Sequence, residues 1–139
     1  MPRRVRGGHR KHVVALADRS LLAVEFLAEP YSHGLAALGN EDSFKAEVKR
    51  LSKKIKEYFD YTPKVLRNSS LIYSDEIGRM AAEMKFKGMI TEGAKHVLGW
   101  KSPNFVYKNA IDENLNLLLK NSKLSDDIAI RFSDRNWSE

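Results

Sequence analysis

The chain has 139 residues, 24 Lys and Arg against 18 Asp and Glu, a net charge of +6 and a hydrophobic fraction of 42%. That is enough apolar material for one packed domain over 1–139, and it excludes wholesale disorder. The absence of cysteine excludes disulfides and thiolate metal sites and fits a reducing, cytoplasmic setting, while no apolar run reaches the length of a membrane span.

Four histidines, at positions 9, 12, 33 and 96, form no helical metal pair, so neither a metal nor another cofactor is expected. The basic balance points to a polyanionic partner, with nucleic acid first.

Residues 3–12 read Arg-Arg-Val-Arg-Gly-Gly-His-Arg-Lys-His, followed by the β-prone run Val13-Val14-Ala15-Leu16. Gly7-Gly8 is a hairpin-turn signal, so residues 1–16 form either a basic hairpin or a basic tail. Asp18 can cap a helix that presents Leu22, Phe26 and Leu27 to the core and ends at Pro30. A connection then runs to about residue 41, with one helical turn at Leu35–Leu38.

Asp42 or Ser43 caps the next helix, where Phe44, Val48, Leu51 and Ile55 recur as an apolar stripe. Lys45, Lys49, Arg50, Lys53, Lys54 and Lys56 make its remaining surface basic. That surface is either a solvated face or a helix lying along a phosphate backbone. Thr62 caps a helix with Pro63 in its first position. This helix runs to about Phe86, with a possible second cap at Ser74-Asp75 and a stop at Gly88. Thr91 caps a short helix ended by Gly99. A helix from Asp112 carries Ile111, Leu115, Leu118 and Leu119, and Asp126 to Phe132 forms the last one. The expected fold is mainly α: a helical core over 17–132 with a small N-terminal β-hairpin and a tail from 133 that holds Trp137.

Lys64 and Arg67, three apart, would share one helix face in a first turn, where free amides and the helix dipole favour an anion. They could equally be exposed solubilising residues. A tyrosine beside such cations is a candidate nucleophile, because the cations stabilise charge building on phosphoryl oxygens. Tyr107 is the candidate here, and the indole of Trp100 can donate one hydrogen bond to the same oxygen. Tyr31, Tyr58, Tyr61 and Tyr73 read as packing aromatics.

The order of these features resembles the C-terminal catalytic domain of tyrosine recombinases, the phage-integrase family. Gly7 to Leu16 with the helix from Asp18 is similar to that family's basic hairpin and following helix. Thr62-Pro63-Lys64-Val65-Leu66-Arg67 resembles its second arginine box, with Lys64 in the histidine place. Leu98-Gly99-Trp100-Lys101-Ser102-Pro103 resembles its Leu-Gly-His/Trp turn, and Tyr107 falls near the nucleophile position. The resemblance covers roughly residues 5 to 115. It implies metal-free cleavage and rejoining of double-stranded DNA through a phosphotyrosine, with self-association on DNA. Arg67 and Lys64 would hold the phosphate, Trp100 would donate to it, and Lys11 or Arg6 would serve the leaving oxygen. Arg6, Arg10, Lys45, Lys49, Lys53 and Lys101 would contact the DNA backbone. The family's first catalytic arginine has no counterpart, so the resemblance implies a partial domain with little cleavage of its own. The alternative is a non-enzymatic basic helical module that binds nucleic acid or a protein.

Overall fold

The computed structural model describes residues 25–134. The hairpin expected over residues 1–16, most of the helix expected from Asp18, and Trp137 lie outside the described residues.

The fold is mixed α/β and is organised on a four-stranded sheet, which corrects the expectation of a mainly helical bundle. Strands β1 (Val65–Arg67), β2 (Gly88–Glu92), β3 (Val106–Lys108) and β4 (Asn116–Lys120) lie in the order β1-β2-β4-β3. β2 is parallel to both β1 and β4, and β3 closes one edge antiparallel to β4. At the other edge Ala28 forms a parallel bridge to Leu66, its amide donating to Val65 O at 2.9 Å and its carbonyl accepting from the Arg67 amide at 2.8 Å.

The register sets one row across the sheet. Ala28, Leu66, Met89 and Leu117 are aligned, and all four are buried. Tyr107, opposite Leu117, continues the row and packs against the core. Side chains alternate along a strand, so this row is one face of the sheet. Two helices supply its cover. Helix α1 (Glu41–Phe59) buries Phe44, Val48 and Ile55, and helix α2 (Asp75–Glu83) buries Ile77, Gly78, Met80 and Ala81. The next register row places Arg67, Ile90, Leu118 and Val106 on the opposite face, half-buried to exposed.

The helices start where short polar side chains can accept from free amides. Asn40, two or three residues before the positions expected, accepts from the Ser43 amide at 2.8 Å to cap α1. Ser74 caps α2 by accepting from the Ile77 amide at 3.3 Å, and Asp75 and Glu76 place negative charge in that first turn. After α2, Lys85 takes a left-handed backbone (φ 69°) and the chain reverses into β2. The Lys87 amide donating to Lys64 O at 2.8 Å begins the parallel pairing with β1.

The long helix expected from Thr62 to Phe86 is therefore strand, turn and short helix. Pro63 is buried just before β1, a place a strand tolerates as readily as a helix start does. Thr91 does not cap a helix. It is buried inside β2, and the short helix α3 (Lys95–Leu98) follows four residues later. The helix expected around Leu115–Leu119 is β4, followed by helix α4 (Ser122–Asp126) and a wider turn at Asp127–Arg131. Among the described residues no helix is long and apolar enough to cross a membrane.

Candidate functional site at the carboxyl edge of the sheet

Parallel strands present their carboxyl ends together, and the loops that leave those ends are where α/β folds collect ligand-binding groups. In this chain the edge comprises Glu29 after the Ala28 bridge, Arg67 closing β1, Glu92 closing β2 and Lys120 closing β4.

Two carboxylates on this edge are held in place. Arg67 Nη1 donates to Glu29 Oε1 at 2.9 Å, and His33 Nδ1 lies 3.6 Å from Glu29 Oε2. The pair is part-buried, so the guanidinium is worth more to the carboxylate here than it would be on an open surface. Glu92 accepts from the Ser122 hydroxyl, with Lys120 Nζ 3.9 Å from its other oxygen.

Between these pairs runs the loop after β1. Buried Asn68 shapes it: its Oδ1 accepts from the Ser69 amide at 2.9 Å and its Nδ2 donates to Ile72 O at 3.0 Å. Ser70 and Leu71 are both left-handed, at φ 53° and 57°. Two consecutive non-glycine residues in that region cost energy, and such strain gathers where a loop must hold a particular shape.

The loop after β2 also sits on this edge, because it must reach the start of β3, which runs antiparallel to β4 and enters the pairing from the carboxyl side, at Leu118. It carries α3, then Gly99 (φ 60°), then Trp100. Tyr107 Oη donates to Ser102 O at 2.7 Å, and Asn121 Nδ2 donates to Asn104 Oδ1 at 3.0 Å.

The expected phosphate site does not assemble. Lys64 and Arg67 flank a strand rather than sharing a helix face, with Lys64 exposed before β1 and Arg67 at its carboxyl end. Three residues apart on a strand, they face opposite sides. Arg67 is engaged by Glu29. Tyr107 lies in β3 with its ring against the core and its hydroxyl bound to Ser102. Trp100 is exposed on its turn, with Lys101 exposed beside it. Lys45 is paired with Glu41 at 2.5 Å and Glu83 at 2.6 Å, so it does not present a free cation, whereas Lys49 and Lys53 are exposed on α1. Arg6, Arg10 and Lys11 lie outside the described residues. Among the described residues no group of three or more His, Asp or Glu is placed to hold a metal.

Sequence reasoning missed Glu29, Glu92 and Asn68. The available signal was a carboxylate closing a short apolar or β-branched run, at Leu27-Ala28-Glu29 and at Met89-Ile90-Thr91-Glu92, which is how a strand end on a polar edge reads.

Comparison with known proteins places these features. The family described as Glycosyl hydrolase family 57 matches residues 21–138. A protein of Methanocaldococcus jannaschii described as a "Putative alpha-amylase" is 42% identical over 117 residues, covering 84% of this chain and 25% of that protein. The chain thus spans a quarter of the length of this curated relative. Among solved structures, the 4-alpha-glucanotransferase of Thermococcus litoralis aligns at a TM-score of 0.69 with 11% identity, over 88% of this chain and 20% of that one. The alpha-amylase AmyC of Thermotoga maritima aligns at 0.63 with 7% identity, over 84% of this chain and 23% of that one. At those identities the two structures speak for the fold alone.

These matches overturn the resemblance to tyrosine recombinases, and with it the expectations of DNA cleavage, of double-stranded DNA as partner and of a basic helical module. The short motifs that suggested it, Thr62 to Arg67 and Leu98 to Pro103, are a strand with its lead-in and a loop turn. The chain belongs to glycosyl hydrolase family 57.

Proposed function

We propose that this chain forms part of a site that cleaves or transfers the glycosidic bonds of α-linked glucans. Its carboxyl sheet edge would take one stretch of the sugar chain. The observation that carries this reading is the Glu29–Arg67 pair, set just past the Ala28 bridge and at the end of β1, in a family whose members act on glycosides. A carboxylate and a guanidinium held side by side offer acceptors and donors in a fixed array, which suits the vicinal hydroxyls of a glucosyl unit. Glu92 with Ser122 extends the same polar edge. Glycoside cleavage itself needs two carboxyl groups across the scissile bond, one to protonate the departing oxygen and one to meet the positive charge at the anomeric carbon. Glu29 and Arg67 are assigned to holding the sugar.

The α-glucan class follows the names of the relatives, an alpha-amylase and a 4-alpha-glucanotransferase. The test is incubation of the full polypeptide with maltooligosaccharides, following both new reducing ends and changes in chain length. Glu29→Gln and Arg67→Met should each lower kcat/KM by about tenfold or more, since each leaves its partner unpaired at the binding edge. Unchanged kinetics in both variants would remove this edge from the site.

A further inference from the structure

We infer that Trp100 is a stacking platform for a glucosyl ring, a binding subsite set beyond the Glu29–Arg67 edge on the loop that follows Glu92. This inference rests on the α-glucan reading.

Trp100 is 91% exposed. Tryptophan has the largest apolar surface of any side chain and is on average highly buried, so a nearly bare indole asks for an occupant. Phe105 and Val97, on the same loop, are also exposed, at 68% and 76%.

The loop that carries them is tied down. Tyr107 bonds Ser102, and Asn121 bonds Asn104. Gly93 lies so close to the Lys120 carbonyl and to Pro103 that a β-carbon there would collide with the carbonyl. Gly93 and Asn104 thus fix the two ends of the loop to the carboxyl end of β4, and the Tyr107 bond ties Ser102 to β3. The turn itself is also specified. α3 ends at Gly99 with φ 60° and ψ −115°, a backbone open to glycine and strained for other residues, and the Gly99 amide donates to Lys95 O at 2.9 Å.

The chemistry of an indole suits a sugar. One face of a pyranose ring presents C–H groups, which lie flat against an aromatic ring. The indole N–H adds one donor for a hydroxyl. The loop that carries the indole leaves the polar edge directly after Glu92. A glucan chain crossing that edge would therefore meet hydrogen-bonding groups first and a flat apolar surface next, an alternation that matches a polymer with polar rims and apolar ring faces.

Trp100 and Trp137 are the two tryptophans of the sequence, which makes the test direct. The full polypeptide carrying Trp137→Phe is titrated with maltoheptaose while indole emission is followed, with circular dichroism as the check on folding. We expect a saturable change in emission. Trp100→Ala should weaken maltoheptaose binding, measured by calorimetry, by about tenfold, and Trp100→Phe should retain part of the affinity. Equal affinity of Trp100→Ala and the unaltered protein would overturn the platform while leaving the α-glucan reading intact. Absence of binding by every form would overturn the α-glucan reading and the platform with it. Loss of self-association in Trp100→Ala without loss of glucan affinity would make this surface a protein contact and also overturn the proposal.

Discussion

Gly78 and Asn109 occupy one another's space. A β-carbon on Gly78 would collide with the Asn109 amide and come within 3.1 Å of the Tyr73 ring. The fully buried Asn109 uses that opening to reach across the fold. Its Nδ2 donates to Tyr73 Oη at 2.8 Å and to Asp75 O at 3.0 Å, while its Oδ1 accepts from the Ile111 and Asp112 amides at 3.0 and 2.7 Å. One side chain thus joins the start of α2 to the turn between β3 and β4. Burial also pushes the Tyr73 hydroxyl up to about 12, so at neutral pH it stays protonated within this network.

Gly78→Ala inverts the usual helix rule. In an open helix the change would gain about 1 kcal/mol. Here the displacement of Asn109 should outweigh that gain, for a net loss on the order of 1–3 kcal/mol. Urea denaturation of Gly78→Ala, Asn109→Ala and the double variant tests the coupling. The Gly78→Ala cost should shrink once Asn109 is gone. A neutral or stabilising Gly78→Ala in the unaltered background would refute the packing argument.

The apolar stripe of α1 is graded. Phe44 and Val48 are buried at 0% and 1% exposure, whereas Leu51 is half-buried. Phe44→Ala should therefore cost about 3–5 kcal/mol. Leu51→Ala should fall below the usual range of about 2–5 kcal/mol for a fully buried leucine, because part of its surface already meets water. Equal losses at the two positions, measured by chemical denaturation, would count against this register of the helix.

That stripe was legible because Phe44, Val48 and Ile55 repeat with the helical period inside a 19-residue helix. The Ser74 cap and the Gly99 stop were legible for a similar reason: their chemistry is local. The parallel strands were not. Val65–Arg67 is three residues long, and its lead-in Thr62-Pro63 serves a helix start equally well. Leu117-Leu118-Leu119 has little intrinsic preference for a strand, and pairing with β2 decides its state. The site shared this limit. Glu29 and Arg67 are 38 residues apart, and they meet only because Ala28 pairs with Leu66. No local pattern announces such a pair, whereas the lysines of α1 announced a charge that Glu41 and Glu83 partly cancel.

Those acids supply the last prediction. Lys45 on α1 bonds Glu83 on α2, and Arg79 on α2 bonds Glu41 on α1 at 2.9 Å, so two crossed ion pairs clamp the helices together. Hydrogen bonds from Lys45 first, and from Arg79 next, hold the Glu41 and Glu83 carboxyls below their ordinary value of 4.5. The same bonds raise Lys45 above 10.5. For the acids the folded pKa is depressed, so their contribution is complete above pH 4.5 and is lost as pH falls through the folded values. For Lys45 the folded pKa is raised, so its contribution is complete below pH 10.5 and is lost as pH rises through the folded value. The clamp should therefore hold at full strength between those limits. The double variant Glu41→Gln, Glu83→Gln should be less stable than the unaltered chain at pH 7, and the gap should narrow as pH drops below 4.5. Because the side chains are partly exposed, added salt should narrow it as well. Urea midpoints measured from pH 3 to pH 8 at two ionic strengths give both readings. A gap that stays constant across that range would show that the cluster stabilises the helix pair through packing of its side chains and not through charge.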